Sequence, residues 1–373
     1  MEDKSKKNSK DKAAVLKERI DYLEKLNREL ADQNNELRAE NDRIAELLSF
    51  LPADAGKQIK MKGSANSLRY KMVTVLFADV KGFTKLSGNE NAQALIDELD
   101  DFFFYFNRVV EKHNIQKVKS IGDTYMCAGG IPKKNRTNPI EVIKAALEVQ
   151  EYLKQLQVES KANNRKIWSL TFGVHTGPVT ANVSGKRKIS YDIKGDTVNI
   201  ASRIESASLP TEISISEMTY EFIKEFFVCE YRSKIPIKYR GDTPVYTVKG
   251  FRPELSKDGD GKIPNEKFRT KFQMIQFEDI NEYVMDRLER ELPKHLYYHN
   301  LKHTIDVTIG VEIIGSGEGV SEAELLLLKT AALFHDFGQI KGAVDHEERG
   351  CEIAIEVLPR FNYSQEQIDT ICE

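Results

Sequence analysis

The sequence predicts a mixed α+β fold: a ferredoxin-like domain with the order β-α-β-β-α-β, preceded by a long coiled-coil helix and followed by an all-α domain. Three observations predict it. Apolar residues recur every seven positions over 13–51, strand-like and helix-like segments alternate over 70–252, and residues 268–373 are mostly helical by periodicity. A chain of 373 residues is also longer than one hydrophobic core usually supports.

The N-terminal segment predicts a homodimer. Residues 1–12 are lysine-rich and polar, which is typical of a disordered tail, and residues 13–51 then carry leucine or isoleucine at every seventh position. Those positions are Leu16, Leu23, Leu30, Leu37, Ile44 and Leu51. Asn27, Asn34 and Asn41 fill the other seam position, where a buried asparagine favours a parallel pair of helices. We therefore predict a parallel dimeric coiled coil; the alternative is a surface helix packed on its own domain.

The rest of the chain divides by composition. Residues 52–69 are predicted to be a polar connector, residues 70–252 the α+β domain, and residues 253–267 a linker rich in Pro, Asp, Gly and Lys. The segments that predict strands or helices in the α+β domain are MVTVLFADV (72–80), ALIDELDDFFFYFNRVVEKH (94–113), KVKSIGDTYMCAGG (117–130), IEVIKAALEVQEYLKQLQ (140–157) and IWSLTFGVHTG (167–177). Residues 268–373 hold five of the seven histidines.

Composition excludes several classes of protein. The net charge is −3 with 30% charged residues, which argues against a dedicated nucleic-acid binder with a basic face. The sequence has no run of 18 or more apolar residues and no signal-peptide pattern in MEDKSKKNSKDK, so no membrane span is predicted. The four cysteines form no CxxC pair, which is typical of reduced thiols in a cytoplasmic protein.

Two aspartates follow apolar strands, Asp79 in LFADVKGFT and Asp123 in KSIGDTYM. Two carboxylates brought close together repel each other, and a divalent cation relieves this repulsion. The small residues of VKGFT, directly after Asp79, let backbone N–H groups approach a phosphate. The pattern therefore predicts a nucleotide-metal site; the alternative for each aspartate alone is a helix cap or a turn residue.

The motifs VTVLFADVKGFT, KSIGDTYM, GVHTGPVTANVSG and YDIKGDTVNIASR together resemble those of class III adenylyl and guanylyl cyclases, in the family's order and across about residues 70–252. The resemblance implies that Asp79 and Asp123, with the backbone of Val80, bind two Mg²⁺ or Mn²⁺ ions. It implies further that the substrate lies against the backbone that follows, at Gly82, Phe83 and Thr84.

The same resemblance implies how the base is recognised. Lys119 matches the family's base-reading residue and Asp192 its partner, and this Lys/Asp pair is similar to that of adenylyl cyclases, whereas guanylyl cyclases typically carry Glu and Cys. Lysine donates to adenine N1 and aspartate accepts from the N6 amine, so the expected substrate is ATP.

The remaining catalytic positions also follow from the resemblance. Asn199 and Arg203, four residues apart and on one helix face, match the pair that orients the ribose and stabilises the transferring phosphoryl group. Lys238 in IKYRG matches the phosphate-contacting lysine, but Tyr239 stands where the family usually has glycine, so Arg240 remains an alternative for that contact. In the family the two sets of residues come from different subunits, which implies a homodimer with two shared sites.

A second constellation lies in the C-terminal region. YHNLKHTIDV, LFHDFG and HEERG bring His299, His303, His335, Asp336 and His346 into order, and imidazole with carboxylate suits a transition-metal hydrolytic site. The pattern resembles the HD phosphohydrolase superfamily and, at YHNLKHTIDV, cyclic nucleotide phosphodiesterases. The resemblance implies His303, His335 and Asp336 as metal ligands, His299 as proton donor and His346 as a second-metal ligand.

The family's closing aspartate is expected on a later helix, and nothing after IDTICE supplies it, so the HD-type domain is expected to be truncated. The sequence thus predicts an adenylyl cyclase that makes cyclic AMP and pyrophosphate. Two alternatives stay open: a bifunctional cyclase and cyclic-nucleotide phosphodiesterase, or a non-catalytic dimeric nucleotide sensor.

Overall fold

The computed structural model describes residues 24–35, 37–39, 41–42, 45, 53–62, 64, 67–81, 92–162, 168–185, 190–237, 241–293, 296 and 298–373. They fall into two compact units, one comprising residues 1–68 and 181–192 and the other residues 69–180 and 193–373. Gly82, Phe83, Thr84, Lys238 and Arg240 lie outside the described residues.

The predicted coiled coil also lies largely outside them. Every described residue of this segment is helical, but the helix is described over only part of the predicted length. Two of its seam residues, Leu30 and Leu37, are 47% and 56% exposed within the single chain. Pairing with a second helix would bury them, so the coiled-coil dimer stays a prediction.

The smaller unit contains helix α1 (Ala53–Lys62) and residues 181–192. Ala55 and Ile59 are its buried helical residues, at 5% and 2% exposure. An antiparallel bridge joins Ser64 to Ser184. The Ser67 hydroxyl donates a hydrogen bond of 2.6 Å to the Asn182 side-chain oxygen, close to that bridge.

Among the described residues, the sheet of the α+β region has eight strands: β1 (Leu68–Lys81), β2 (Gln116–Ile121), β3 (Thr124–Gly129), β4 (Ser169–Ser184), β5 (Ser190–Lys194), β6 (Ile213–Ser216), β7 (Phe227–Ile237) and β8 (Gly241–Phe251). Their order across the sheet is β2-β3-β1-β4-β6-β8-β7, with β5 paired to β4 beside this path. The helices are α2 (Ala92–Lys112), α3 (Asn138–Ala162), α4 (Asp196–Ser206) and α5 (Glu217–Ile223). The prediction of a mixed α+β region is confirmed, and its elements from β1 to β4 run β-α-β-β-α-β.

A run of buried residues explains the central position of β1 in the sheet. In β1 the four consecutive residues from Val73 to Leu76 are buried, as expected for a strand that is covered on both faces. Phe102 and Phe106 of α2 are 1% and 0% exposed and pack in the same core cluster as Leu76 of β1. The core therefore holds β1 firmly up to the aspartate near its end.

Beyond β8, every regular element in the described part of the chain is helical. After the short turns Pro253–Leu255 and Lys257–Gly259 come α6 (Glu266–Glu291), α7 (Leu301–Glu318), α8 (Glu322–Phe334), α9 (His346–Val357) and α10 (Gln365–Cys372), with 3₁₀ turns at Phe337–Lys341 and Leu358–Phe361. The predicted all-α region is confirmed. None of the helices among the described residues combines the length and apolarity that crossing a membrane requires.

Helix α6 belongs to two cores. Phe268 and Phe272, in its N-terminal half, pack in the core of the α+β region. Ile280 and Val284, in its C-terminal half, pack in a separate cluster with α8, α9 and α10. One continuous helix thus joins the two regions.

Candidate functional site

Asp79 and Asp123 lie at the same end of the β1–β3 pair. In the antiparallel register Asp79 is opposite Thr124, the neighbour of Asp123, and the Val80 amide donates to the Asp123 carbonyl at 3.1 Å. The turn before Asp123 requires Gly122, whose φ of 58° is in the left-handed region that side chains disfavour. Two carboxylates on adjacent strand ends provide oxygen donors that suit Mg²⁺ or Mn²⁺.

The Asp79 carboxylate already has two partners. The Thr124 hydroxyl donates to Oδ1 at 2.7 Å, and the Lys81 ammonium lies 2.7 Å from Oδ2. Lys81 also contacts Oε1 of Glu205 at 3.1 Å. Burial lowers the pKa of Lys81, but its hydrogen bonds to Asp79 and Glu205 outweigh this and raise it above the usual value.

Glu205 is a buried carboxylate on α4, with 7% of its side chain exposed. The Thr171 hydroxyl on β4 donates to it and also lies 3.3 Å from the Asp79 carbonyl oxygen. Sequence reasoning missed Lys81, Thr171 and Glu205 as parts of the site. Their signals were present but indirect: Lys81 lies inside VKGFT, and Glu205 follows Arg203 by two residues.

Asn199 and Arg203 share the exposed face of α4, as their spacing predicted. The opposite face of this helix is buried through Thr197, Ile200, Ala201, Ile204 and Glu205. Both side chains are therefore exposed on the face of α4 opposite its buried side, where a substrate or a second subunit can meet them.

The two residues predicted to read the base are in different compact units. Lys119 is exposed on β2 and pairs with Met126 of β3. Asp192 is exposed on β5, in the smaller unit. Each side chain is therefore accessible to a ligand.

The four histidines of the second constellation converge on the carboxylate of Asp336. Asp336 is 6% exposed, and its Oδ2 lies 2.7 Å from His299 Nδ1. The same oxygen is 3.4 Å from His303 Nε2 and 3.1 Å from His335 Nε2. His346 Nε2 lies 3.5 Å from Oδ1.

In His335 and His346, one ring nitrogen lies close to a backbone carbonyl. His335 Nδ1 is 2.6 Å from the Ala332 carbonyl, and His346 Nδ1 is 3.2 Å from the Ala343 carbonyl. A proton on each Nδ1 leaves the lone pair of Nε2 directed at the cluster, as in many metal-binding histidines. The ligand atoms of His299, His303 and Asp336 lie within 4.8 Å of one another, so this donor set fits a transition metal.

Two family models match the chain. The adenylate and guanylate cyclase catalytic domain matches residues 65–250, and the HD domain matches residues 300–373. Guanylyl cyclase C of Homo sapiens is 35% identical over 232 residues, which are 60% of this chain and 21% of that protein. The chain thus spans about a fifth of the length of the curated relatives it matches.

Solved structures of both cyclase types are similar to the α+β region. The adenylyl cyclase CyaB from P. aeruginosa is 30% identical with a TM-score of 0.46, covering 49% of this chain and 96% of that one. The dimeric guanylyl cyclase domain of the RhoGC fusion protein from Blastocladiella emersonii is 28% identical with a TM-score of 0.44, covering 49% and 99%.

Proposed function

The chain contains a class III adenylate/guanylate cyclase catalytic domain followed by an HD domain, and we propose that it is an adenylyl cyclase that converts ATP to cyclic AMP and pyrophosphate. The observation that carries the proposal is the placement of Asp79 and Asp123 at one end of the β1–β3 pair. Class III cyclases use divalent metals, and these two carboxylates are suited to hold two such ions.

The reaction is an in-line attack of the ribose 3′-OH on the α-phosphate, with pyrophosphate leaving. Asp79 and Asp123 would hold the divalent cations, which would supply Lewis acidity at the ribose hydroxyl and at the leaving oxygens. Asn199 orients the ribose. Arg203, whose guanidinium is always charged, stabilises the negative charge that develops on the transferring phosphoryl group.

ATP is the proposed substrate because of Lys119 and Asp192. The ammonium donates to adenine N1 and the carboxylate accepts from the N6 amine, whereas guanine presents O6 and an N1 proton at these positions. The relatives include guanylyl as well as adenylyl cyclases, so these two residues carry the choice of nucleotide.

We propose further that each active site is shared by two subunits. Asn199 and Arg203 are exposed on α4, facing away from their own core, as residues that serve a partner's site would be. A single cyclase domain holds both the proposed metal ligands, Asp79 and Asp123, and the proposed transition-state residues, Asn199 and Arg203. A homodimer therefore contains two complete sites. The heptad at 13–51 supplies a way to hold the pair together.

Product analysis tests the reaction. The purified chain is incubated with ATP or GTP and Mn²⁺ or Mg²⁺, and the products are separated by chromatography. Cyclic AMP as the main product supports the proposal; cyclic GMP alone overturns the choice of substrate. Nucleotide binding without turnover would make the chain a nucleotide sensor. Asp79→Asn is the matched variant, because it keeps the side-chain shape while removing the charge that a metal needs.

The histidine cluster favours a second activity, hydrolysis of a cyclic nucleotide phosphodiester in the HD domain. Four imidazoles around the buried Asp336 form a metal-binding arrangement that a structural role does not require. Loss of added cyclic AMP in the presence of Mn²⁺ or Zn²⁺, abolished by Asp336→Asn, would support this activity. Metal binding without hydrolysis would leave the cluster as a binding site only.

A further inference from the structure

One lysine serves two carboxylates at the end of β1. The Lys81 ammonium is 2.7 Å from Asp79 Oδ2 and 3.1 Å from Glu205 Oε1. Asp79 is the strand residue that faces Thr124 and the Asp123 turn, whereas Glu205 belongs to α4, the helix of Asn199 and Arg203. Lys81 therefore links the metal-binding strand to the helix that carries the transition-state residues.

The side chains of Glu205, Lys81 and Asp79 differ in how much room they have to move. The Glu205 side chain is 7% exposed and already accepts the Thr171 hydroxyl, so it is fixed in the interior. The Lys81 side chain is 39% exposed and has a flexible stem, so its ammonium has room to shift. The Asp79 side chain is 18% exposed, a value between those of Glu205 and Lys81.

A divalent cation and Lys81 need the same lone pairs. Asp79 Oδ1 accepts from Thr124, and Oδ2 faces the ammonium. A metal ion that binds Oδ2 competes with the lysine, because the two positive charges repel each other at one carboxylate oxygen. Glu205 then retains the ammonium, since a buried carboxylate without a counter-charge is strongly disfavoured.

We propose that Lys81 is a positioning residue that holds Asp79 in the metal-free enzyme and yields it to the divalent cation by shifting its ion pair to Glu205. The inference rests on the proposed function, because it takes Asp79 as a metal ligand. Its consequence is weak metal binding until nucleotide phosphates add their own oxygen ligands. The enzyme then loads metal and nucleotide together rather than holding metal alone.

Mn²⁺ binding without nucleotide tests this exchange. Free Mn²⁺ is measured by electron paramagnetic resonance during titration of the full chain, with Asp336→Asn in every sample to remove the histidine cluster. Lys81→Met, which keeps the apolar stem, is expected to bind Mn²⁺ about fivefold more tightly, the value of a partly exposed ion pair worth roughly 1 kcal/mol. Lys81→Arg restores the competing charge and is expected to bind within about twofold of the parent.

A double-mutant cycle separates exchange from simple repulsion. Glu205→Gln removes the alternative partner and is expected to weaken Mn²⁺ binding, and this effect should vanish in the Lys81→Met background. Additive effects of the two substitutions on Mn²⁺ affinity would overturn the exchange. Lys71→Met is the control, because it removes an exposed positive charge from the same strand. Equal changes in Mn²⁺ affinity for Lys81→Met and Lys71→Met would also overturn the exchange. If Asp79→Asn also leaves Mn²⁺ binding unchanged, the metal site of the proposed function fails instead.

Discussion

Gly173 on β4 packs directly against Glu205 on α4. A β-carbon at Gly173 would lie 2.1 Å from the Glu205 amide nitrogen and 2.4 Å from the Ala201 carbonyl oxygen. Both contacts are to backbone atoms, which cannot move without moving the helix. Because α4 presents Asn199 and Arg203 on its other face, this close approach fixes the position of the two side chains that are proposed to act in catalysis.

Gly173→Ala is therefore expected to displace α4. Overpacking of this kind costs about 1–3 kcal/mol of folding stability. Turnover should fall by about tenfold or more, since a misplacement of about 1 Å at a catalytic group has large effects. Chemical unfolding and cyclase assays measure the two effects. Gly317→Ala in α7 is the control, because its β-carbon would meet nothing within 4 Å; equal loss of turnover in both variants would contradict the account.

Exchange of the base-reading pair is expected to change substrate preference. Lys119→Glu combined with Asp192→Cys places the residues typical of guanylyl cyclases at these positions, so the preference for ATP over GTP should fall by about tenfold or more, given one or two lost hydrogen bonds. The ratio of kcat/KM for the two nucleotides measures this. An unchanged ratio would count against Lys119 and Asp192 as the residues that recognise the base.

Glu141 predicts a pH dependence of stability. Burial raises the pKa of this carboxyl to about 7, against hydrogen bonds from Asn135 and Thr137 that lower it. The folded state thus holds a proton that the unfolded state releases near 4.5, and the contribution of Glu141 to the free energy of unfolding should fall as pH rises from 4.5 to 7. The expected loss is about 3 kcal/mol.

Glu141→Gln isolates this effect, because the amide oxygen still accepts from Asn135 and no proton is exchanged. Unfolding by urea at about pH 5 and about pH 7.5 should show a smaller decrease in stability for the variant than for the parent. Parallel pH profiles for the two proteins would show that Glu141 titrates normally.

The continuity of α6 predicts that the two regions unfold together. Met274 lies between Phe272, in the α+β core, and Phe277, in the helical core. Met274→Pro breaks the helix at this point, at a cost of about 3 kcal/mol. Calorimetry should show one transition in the parent and in Met274→Ala, but two in Met274→Pro. Two transitions in the parent would mean that the helix does not couple the regions.

Local patterns predicted much of the site. Short motifs placed Asp79 and Asp123 after strands, and the four-residue spacing of Asn199 and Arg203 placed them on one helix face. The histidine cluster was also predictable as a set, because its members follow strong local motifs. Each of these features depends on neighbours close in the sequence.

Features that depend on distant packing could not be predicted. The ion pair from Lys81 to Glu205 joins residues more than a hundred positions apart, and nothing in either segment indicates the other. The approach of Gly173 to α4 also appears only when strand and helix are packed. Periodicity predicted helix α6 but not that its two halves enter different cores, because an apolar face has the same pattern in both.

A heterodimer of two inactive variants tests whether the nucleotide-cyclising site is shared by two subunits. Asp79→Ala removes a proposed metal ligand, and Arg203→Ala removes the side chain proposed to stabilise the transition state. Each homodimer should therefore be inactive. The two variants are co-expressed with different affinity tags, and the heterodimer is purified through both. If the sites are shared, one site of the heterodimer is intact, and it should make cyclic AMP at about half the wild-type rate per dimer. A heterodimer as inactive as its parents would contradict the account.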